Sequence, residues 1–169
     1  MLQILQLLLN NIEKLLNLFL NRKQKDLLSD MEPQDPQDAN LILVRYDKVE
    51  NISATGRLFF RNFEIAFKSG GYGKGAAPKG EYTAHSYMDI AKDFPNSDAY
   101  SKFGIGFFVR IDAEFPSDRK DLGIHFDGNV PGTLGCIGLQ CSNLDDAVKV
   151  RNLFRDALSD GQKLECRII

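Results

Sequence analysis

The sequence predicts a mainly β domain with one helix near its C-terminal end, preceded by a separate amphipathic α-helix. Three observations predict it. From Leu41 onward, short β-rich runs bounded by turn residues recur, among them LILVRYD, RLFF, FEIAF and GFFVRID. Between Asn143 and Leu158 the pattern turns helical, with Leu144, Val148, Leu153, Phe154 and Leu158 on apolar faces. Residues 1–21, MLQILQLLLNNIEKLLNLFLN, are of a different material, with apolar side chains at three- and four-residue steps.

In that first segment Leu2, Leu5, Leu9, Ile12, Leu16 and Phe19 form a heptad seam, and Ile4, Leu8, Leu15 and Leu18 widen it. A membrane-crossing helix is disfavoured, because Asn10, Asn11, Glu13, Lys14 and Asn17 would lie mid-span. A charge there costs about 2.5–3.5 kcal/mol. No basic residue precedes the apolar run and no small-residue cleavage site follows, so no cleavable signal peptide is expected. Two readings survive, a helix that makes a homo-oligomer and one that lies on a membrane surface. The first is preferred, since the polar face is Asn and Gln with few cations to meet anionic lipid. Residues 22–40, with Pro33 and Pro36 among Asp, Gln and Glu, suit a polar linker. The folded domain is expected over 41–169.

Composition narrows the function. A net charge of −2 over 169 residues argues against nucleic-acid binding, which needs clustered Lys and Arg. Three cysteines at irregular spacing give no disulfide framework. Two histidines and no CxxC pair give no zinc site, and neither a metal nor a cofactor is expected. Gly70, Gly71, Gly73 and Gly75 surround Lys74 in the manner of a phosphate loop. Gly75 stands where a Walker motif needs Ser or Thr, however, and Pro78 blocks the helix that should follow. The stretch reads as a hairpin loop.

Further along, Arg61 and Asn62 separate two strands, and residues 85–104 are polar and irregular, with turns marked by Pro95 to Asp98. In that segment Tyr87, Phe94 and Tyr100 either line a groove or anchor a surface loop, and His85 reads as a surface residue. GFFVRID is apolar on both faces, as a central strand is. A loop with Pro116, Ser117 and Asp118 leads to the strand GIHF. Ser142 with Asp145 resembles a capping box ahead of the helix, and Gly161 stops it. In KLECRII, Leu164, Cys166 and Ile168 alternate inward, which makes Cys166 a core residue and Cys141 a packed thiol.

Chemistry concentrates in Gly123–Leu139, GIHFDGNVPGTLGCIGL, where His125 stands eleven residues ahead of Cys136 and glycines flank the thiol. A nearby His can take the thiol proton, and the thiolate is the nucleophile. The backbone N–H groups of Leu134, Gly135 and Cys136 are candidates to hold the resulting oxyanion. Such surroundings should lower the Cys136 pKa.

These residues resemble the signature of the L,D-transpeptidase (YkuD-like) catalytic domain: a His, a glycine-rich loop, then Ser-His-Gly-Cys, a branched aliphatic residue, Arg and an aliphatic residue. His125 matches the first His, Thr133 stands at the Ser, and Gly135 and Cys136 match the Gly-Cys pair. Ile137 and Leu139 match the aliphatic positions, while Leu134 replaces the second His and Gly138 the Arg. Upstream, Pro78, Lys79, Gly80 and Tyr82 resemble the family's Pro, one residue, Gly and an aromatic, with Glu81 inserted. The likeness covers about residues 41–169 and has no counterpart for the first forty.

The resemblance implies a β-sandwich with a helix after the nucleophile loop, and acyl transfer through a thioester on Cys136 with His125 as base. It implies that the Phe126 carbonyl orients His125, with Asp127 as the alternative. It places Thr133, Gly138, Tyr82 and Tyr87 at the substrate. The implied partners are peptidoglycan stem peptides in the cell envelope, reached without a visible signal peptide, as by a phage holin or a dedicated secretion apparatus. The two departures favour water over an amine as acceptor, hence an L,D-carboxypeptidase or endopeptidase of lysin or effector type. A cross-linking L,D-transpeptidase is the alternative, and a non-catalytic wall-binding module a further one.

Overall fold

The computed structural model describes residues 39–169, so the helix expected over 1–21 and nearly all of the linker lie outside the described residues. The elements run β1 (Leu41–Glu50), β2 (Ser53–Phe60), β3 (Phe63–Gly70), β4 (Gly80–Asp89), a one-turn α1 (Ser97–Tyr100), β5 (Ser101–Lys102), β6 (Ile105–Ala113), β7 (Gly123–Phe126), β8 (Ile137–Leu139), α2 (Leu144–Ala157) and β9 (Leu164–Ile168).

The domain is mainly β with one main helix. Its strands follow the order β4-β9-β1-β2-β3-β8-β7-β6-β5, and β4 also pairs with β6. That last pairing joins the first strand of the row to the eighth, so eight strands close into a barrel and β5 hangs on β6 as a short flap. Where the resemblance implies a sandwich, the hydrogen bonds run round a single sheet, because β4 has partners on both edges, β6 and β9. Closure leaves no edge along β4 to attract another chain. Two of the pairs are parallel, β1 with β9 and β7 with β8.

Local sequence explains most of these elements. Arg61 and Asn62 make a two-residue hairpin, with Arg61 at φ 52° as turns that match strand twist require. The glycine-rich stretch is not the hairpin loop its composition suggests. β3 pairs with β2 and β8, and β4 with β6 and β9, so residues 71–79 cross from one side of the barrel to the other. On the way, Gly71 forms an isolated bridge with Thr133.

The core fills the barrel and the space beneath α2. Ala147, Val150, Phe154 and Ala157 are the buried face of that helix, at three- and four-residue steps, whereas Leu144 is exposed. Phe154 stacks against Phe60 of β2 (5.3 Å) and Phe107 of β6 (5.4 Å), and Phe107 meets Phe126 of β7 edge-on at 4.8 Å. Truncating a buried Phe costs about 3–5 kcal/mol, so this cluster ties α2 to the strands that hold the site. The cap lies one residue later than the Ser142–Asp145 pattern suggests. Asn143 Oδ1 accepts from Asp146 N at 2.9 Å, and Asn143 Nδ2 donates to Asp146 Oδ2 at 2.8 Å. In β9, Leu164, Cys166 and Ile168 face the core as their alternation demands.

Candidate active site

The site is built on β7 and β8. Ile124 pairs with Ile137 and His125 with Gly138, so Cys136, one residue before β8, stands level with Gly123. Ile124, Phe126, Ile137 and Leu139 all point into the core. Strand alternation then turns His125, Cys136 and Gly138 to the outer face. His125 and Cys136 are diagonal neighbours there, and positions so related lie roughly 7–8 Å apart between backbones, within reach of long side chains. Both line one cavity of about 350 Å³, walled also by Tyr72, Tyr100, Lys120 and Leu134.

His125 Nδ1 lies 2.7 Å from the Phe126 carbonyl. A carbonyl only accepts, so Nδ1 carries the proton and Nε2 keeps its lone pair. The imidazole is almost wholly buried, beneath Tyr100 at 4.8 Å and beside Phe108 at 6.0 Å between ring centres. Burial pushes its pKa below 6.5, against the pull of the Phe126 carbonyl and the Asp127 charge. The resting ring is a neutral base.

The thiol differs from its expectation. Burial pushes Cys136 up to about 11, partly offset by the Gly123 N–H and the Arg119 charge. Desolvation outweighs those two groups, so the resting pair is a neutral thiol beside a neutral imidazole. The sulfur donates to the Asp121 carbonyl at 3.8 Å. Among the described residues no hydrogen bond joins it to His125; such contacts often tighten only when substrate binds.

The loop ahead of the nucleophile is pinned at each peptide. Thr133 Oγ1 accepts from Gly70 N (3.0 Å) and Gly135 N (3.1 Å) and donates to the Cys136 carbonyl at 2.6 Å. Ser69 Oγ donates to the Gly135 carbonyl at 3.1 Å, and Arg119 Nη2 donates to the Leu134 carbonyl at 3.0 Å. The Gly135 N–H is therefore committed to Thr133. The Cys136 N–H, with no hydrogen bond among the described residues, remains to meet an oxyanion. Gly135 sits at φ 128°, and a Cβ there would fall 1.8 Å from Arg119 Nη2.

Several expected site residues lie elsewhere or act otherwise. Thr133 lines the cavity beside Cys136, but it is buried and its hydroxyl is spent on bracing the loop. The Asp127 carboxylate does not orient His125; it accepts from Gly132 N at 3.0 Å and Gln140 Nε2 at 2.9 Å, which holds the His–Cys loop. At Gly138 a Cβ would meet Thr133 Cγ2, Asp127 Cβ and the Lys68 carbonyl at 3.0–3.2 Å, so loop packing fills the space an Arg would need. Tyr82 is a core residue whose hydroxyl donates to the Pro78 carbonyl at 2.7 Å. Tyr87 stacks on Phe107 at 6.0 Å, and its hydroxyl donates to Asp89 at 2.6 Å, away from the cavity. His85 lies 2.8 Å from Asp112 on the neighbouring strand.

Leu134 is well exposed at the rim and Tyr100 covers the base. Tyr72 and Lys120 line the cavity and Arg119 bonds to its rim at Leu134, yet nothing in their spacing points to them; only Tyr72, set between glycines, has a signal of loop placement. Among the described residues no group of three His, Cys, Asp or Glu is placed to hold a metal. No family model, curated protein or solved structure matches the chain.

Proposed function

We propose that the barrel carries a cysteine-dependent acyl-transfer site that cuts peptidoglycan stem peptides in the cell envelope, with water as the preferred acceptor. The observation that carries this reading is the shared cavity. His125, its Nδ1 proton committed to the Phe126 carbonyl and its Nε2 therefore unprotonated, lines the same 350 Å³ space as Cys136. In this reading the domain is a divergent relative of the L,D-transpeptidase catalytic domain, its barrel the counterpart of that family's β-sandwich.

The chemistry runs in two halves. His125 Nε2 takes the Sγ proton as the sulfur attacks a peptide carbonyl carbon, and the Cys136 N–H faces the oxygen that gains charge. The C–N bond then breaks, and the imidazolium returns its proton to the departing amine. A thioester remains on Cys136. Water, deprotonated by His125, attacks that carbonyl, the C–S bond breaks, and the thiol is restored as the acid leaves.

Two features favour water. The rim residue Leu134 is apolar and exposed, and Gly138 has no side chain and no room for one. Charge-assisted contacts to an acceptor amine or carboxylate would supply about 1.5–3 kcal/mol; neither position provides them. Incubating the protein with a tetrapeptide muropeptide and weighing the products tests the proposal. Tripeptide should form in excess over dimers, and Cys136→Ala and His125→Ala should abolish both. Abundant dimers would make it a cross-linking enzyme, and no product with intact folding would leave a wall-binding module.

A further inference from the structure

Arg119 is the most heavily engaged side chain around the nucleophile, and it lies outside every motif in the sequence. Its Nη1 donates to the carbonyls of Lys74 and Ala76, both at 3.1 Å. Its Nη2 donates to the carbonyls of Gly75 at 2.9 Å and Leu134 at 3.0 Å. All four N–H groups on the two terminal nitrogens are thus used, three on the glycine-rich crossover and one on the residue two before Cys136. A guanidinium presents five donors in a fixed plane, and a lysine ammonium cannot reproduce that fork.

We propose that Arg119 is the positioning residue of this site, clamping the nucleophile loop to the glycine-rich crossover and holding a fixed positive charge near the thiol. The proposal rests on Cys136 being the nucleophile.

Arg119 is the cation hydrogen-bonded to the nucleophile loop. At Gly138 a side chain would meet Thr133, Asp127 and the Lys68 carbonyl. Gly135 is bare because the guanidinium occupies the space of its Cβ. With the Leu134 carbonyl drawn to Arg119 and the Gly135 N–H to Thr133, the peptide before Gly135 is fixed at both ends. Other charged and titratable groups face the cavity: Lys120 and Asp121 on the loop before β7, His125 on β7, Tyr72 on the crossover and Tyr100 on α1. Of these, Asp121 opposes thiolate formation, whereas the Arg119 charge favours it against burial. Arg119 acts on the sulfur both through the loop it holds and through its field.

The test is alkylation of Cys136 by iodoacetamide across pH in the full chain, followed by peptide mass mapping, with Tm measured in parallel. Arg119→Gln should slow labelling at neutral pH about tenfold and move its pH midpoint up by about one unit. Asp118→Ala removes the Lys74–Asp118 ion pair (2.6 Å) that ties the same loops, yet leaves the guanidinium in place, and should keep the wild-type midpoint. A folded Arg119→Gln protein with the wild-type profile would overturn the proposal, as would an equal shift in Asp118→Ala. Should Arg119→Gln not fold, Arg119→Lys decides: an unchanged midpoint with slower labelling supports the role, and wild-type rates overturn it. No peptide takes part in this assay. Failure of stem-peptide cleavage alongside the expected labelling would therefore sink the proposed substrate and leave Arg119 standing.

Discussion

The ring of Tyr100 lies 4.8 Å from the ring of His125, tilted by 61°, and shuts the base away from bulk water. Tyr100 ends the single turn of α1, which the chain places over the outer face of β7. Removing that ring in Tyr100→Ala should rehydrate the imidazole and raise its pKa towards 6.5. NMR titration of the His125 ring protons measures this. Tyr100→Phe, which keeps the cover, should titrate like the wild type; a shift as large as that of Tyr100→Ala would assign the effect to the hydroxyl.

The three thiols should react in the order of their access. Cys136 is half-buried at the cavity, while Cys141 and Cys166 are buried, with pKa values pushed up to about 11 and about 12 by desolvation. Alkylation of the native protein should label Cys136 first, and denaturation should release the other two. Earlier labelling of Cys166 would contradict the packing around β9.

Activity should depend on pH through His125 on the acid side. The base works when neutral and its pKa is depressed, so kcat/KM should fall only below pH 6.5. Stability should fail at the opposite end. Cys136 moves from 9.0 when exposed to about 11 when folded, so the unfolded chain loses its proton first as pH rises. That contribution is whole below pH 9.0 and fades towards about 11, with Cys141 acting in the same direction. Urea titrations at pH 7, 9 and 10.5 check it.

Thr133→Val should loosen the nucleophile loop more than its size suggests. The hydroxyl serves Gly70 N, Gly135 N and the Cys136 carbonyl, and the substitution leaves all three unpaired. A buried polar group without a partner costs about 1–3 kcal/mol. Chemical denaturation should place Thr133→Val at or above the top of that range, with Thr133→Ser near wild type. Turnover should fall in the Val variant alone.

Placing an arginine at Gly138 should not produce a cross-linking enzyme. The loop atoms at 3.0–3.2 Å from the position of a Cβ would have to move, so Gly138→Arg should lower Tm and reduce both products. A folded variant that makes dimers would show that the acceptor preference rests on this position.

What local pattern encodes was legible in the sequence: the alternation of β9, the Arg61–Asn62 hairpin, the helix over 144–157, and His125 and Cys136 in one segment. What long-range pairing decides was not. Nothing near Gly80–Asp89 announces that β4 bonds to both β6 and β9, and this closure makes the sheet a barrel. The bulge at Ser86, between His85 and Tyr87, shifts the register along β4 and with it the faces its tyrosines take. The glycine-rich stretch looked like a hairpin because glycine marks turns, while its partner, Thr133, lies about sixty residues on. Arg119 was invisible because its acceptors are backbone carbonyls, which no residue type advertises.

The parallel register of β7 and β8 bears on how this site tolerates change. His125 is a ladder residue of β7 and Cys136 directly precedes β8, within a closed ring where no strand can slip without moving all the others. Their eleven-residue separation in sequence is therefore a property of the intervening loop and not of the chemistry. Residues 129–131 lie between Gly128, where a Cβ would fall 1.9 Å from the Asp98 carbonyl oxygen, and the Gly132 contact to Asp127, so changes of length or identity are expected to be absorbed there. A library of insertions between Asn129 and Pro131 would thus test whether the loop can vary in length while His125 and Cys136 keep facing one cavity, whose lining from this loop begins at Gly132.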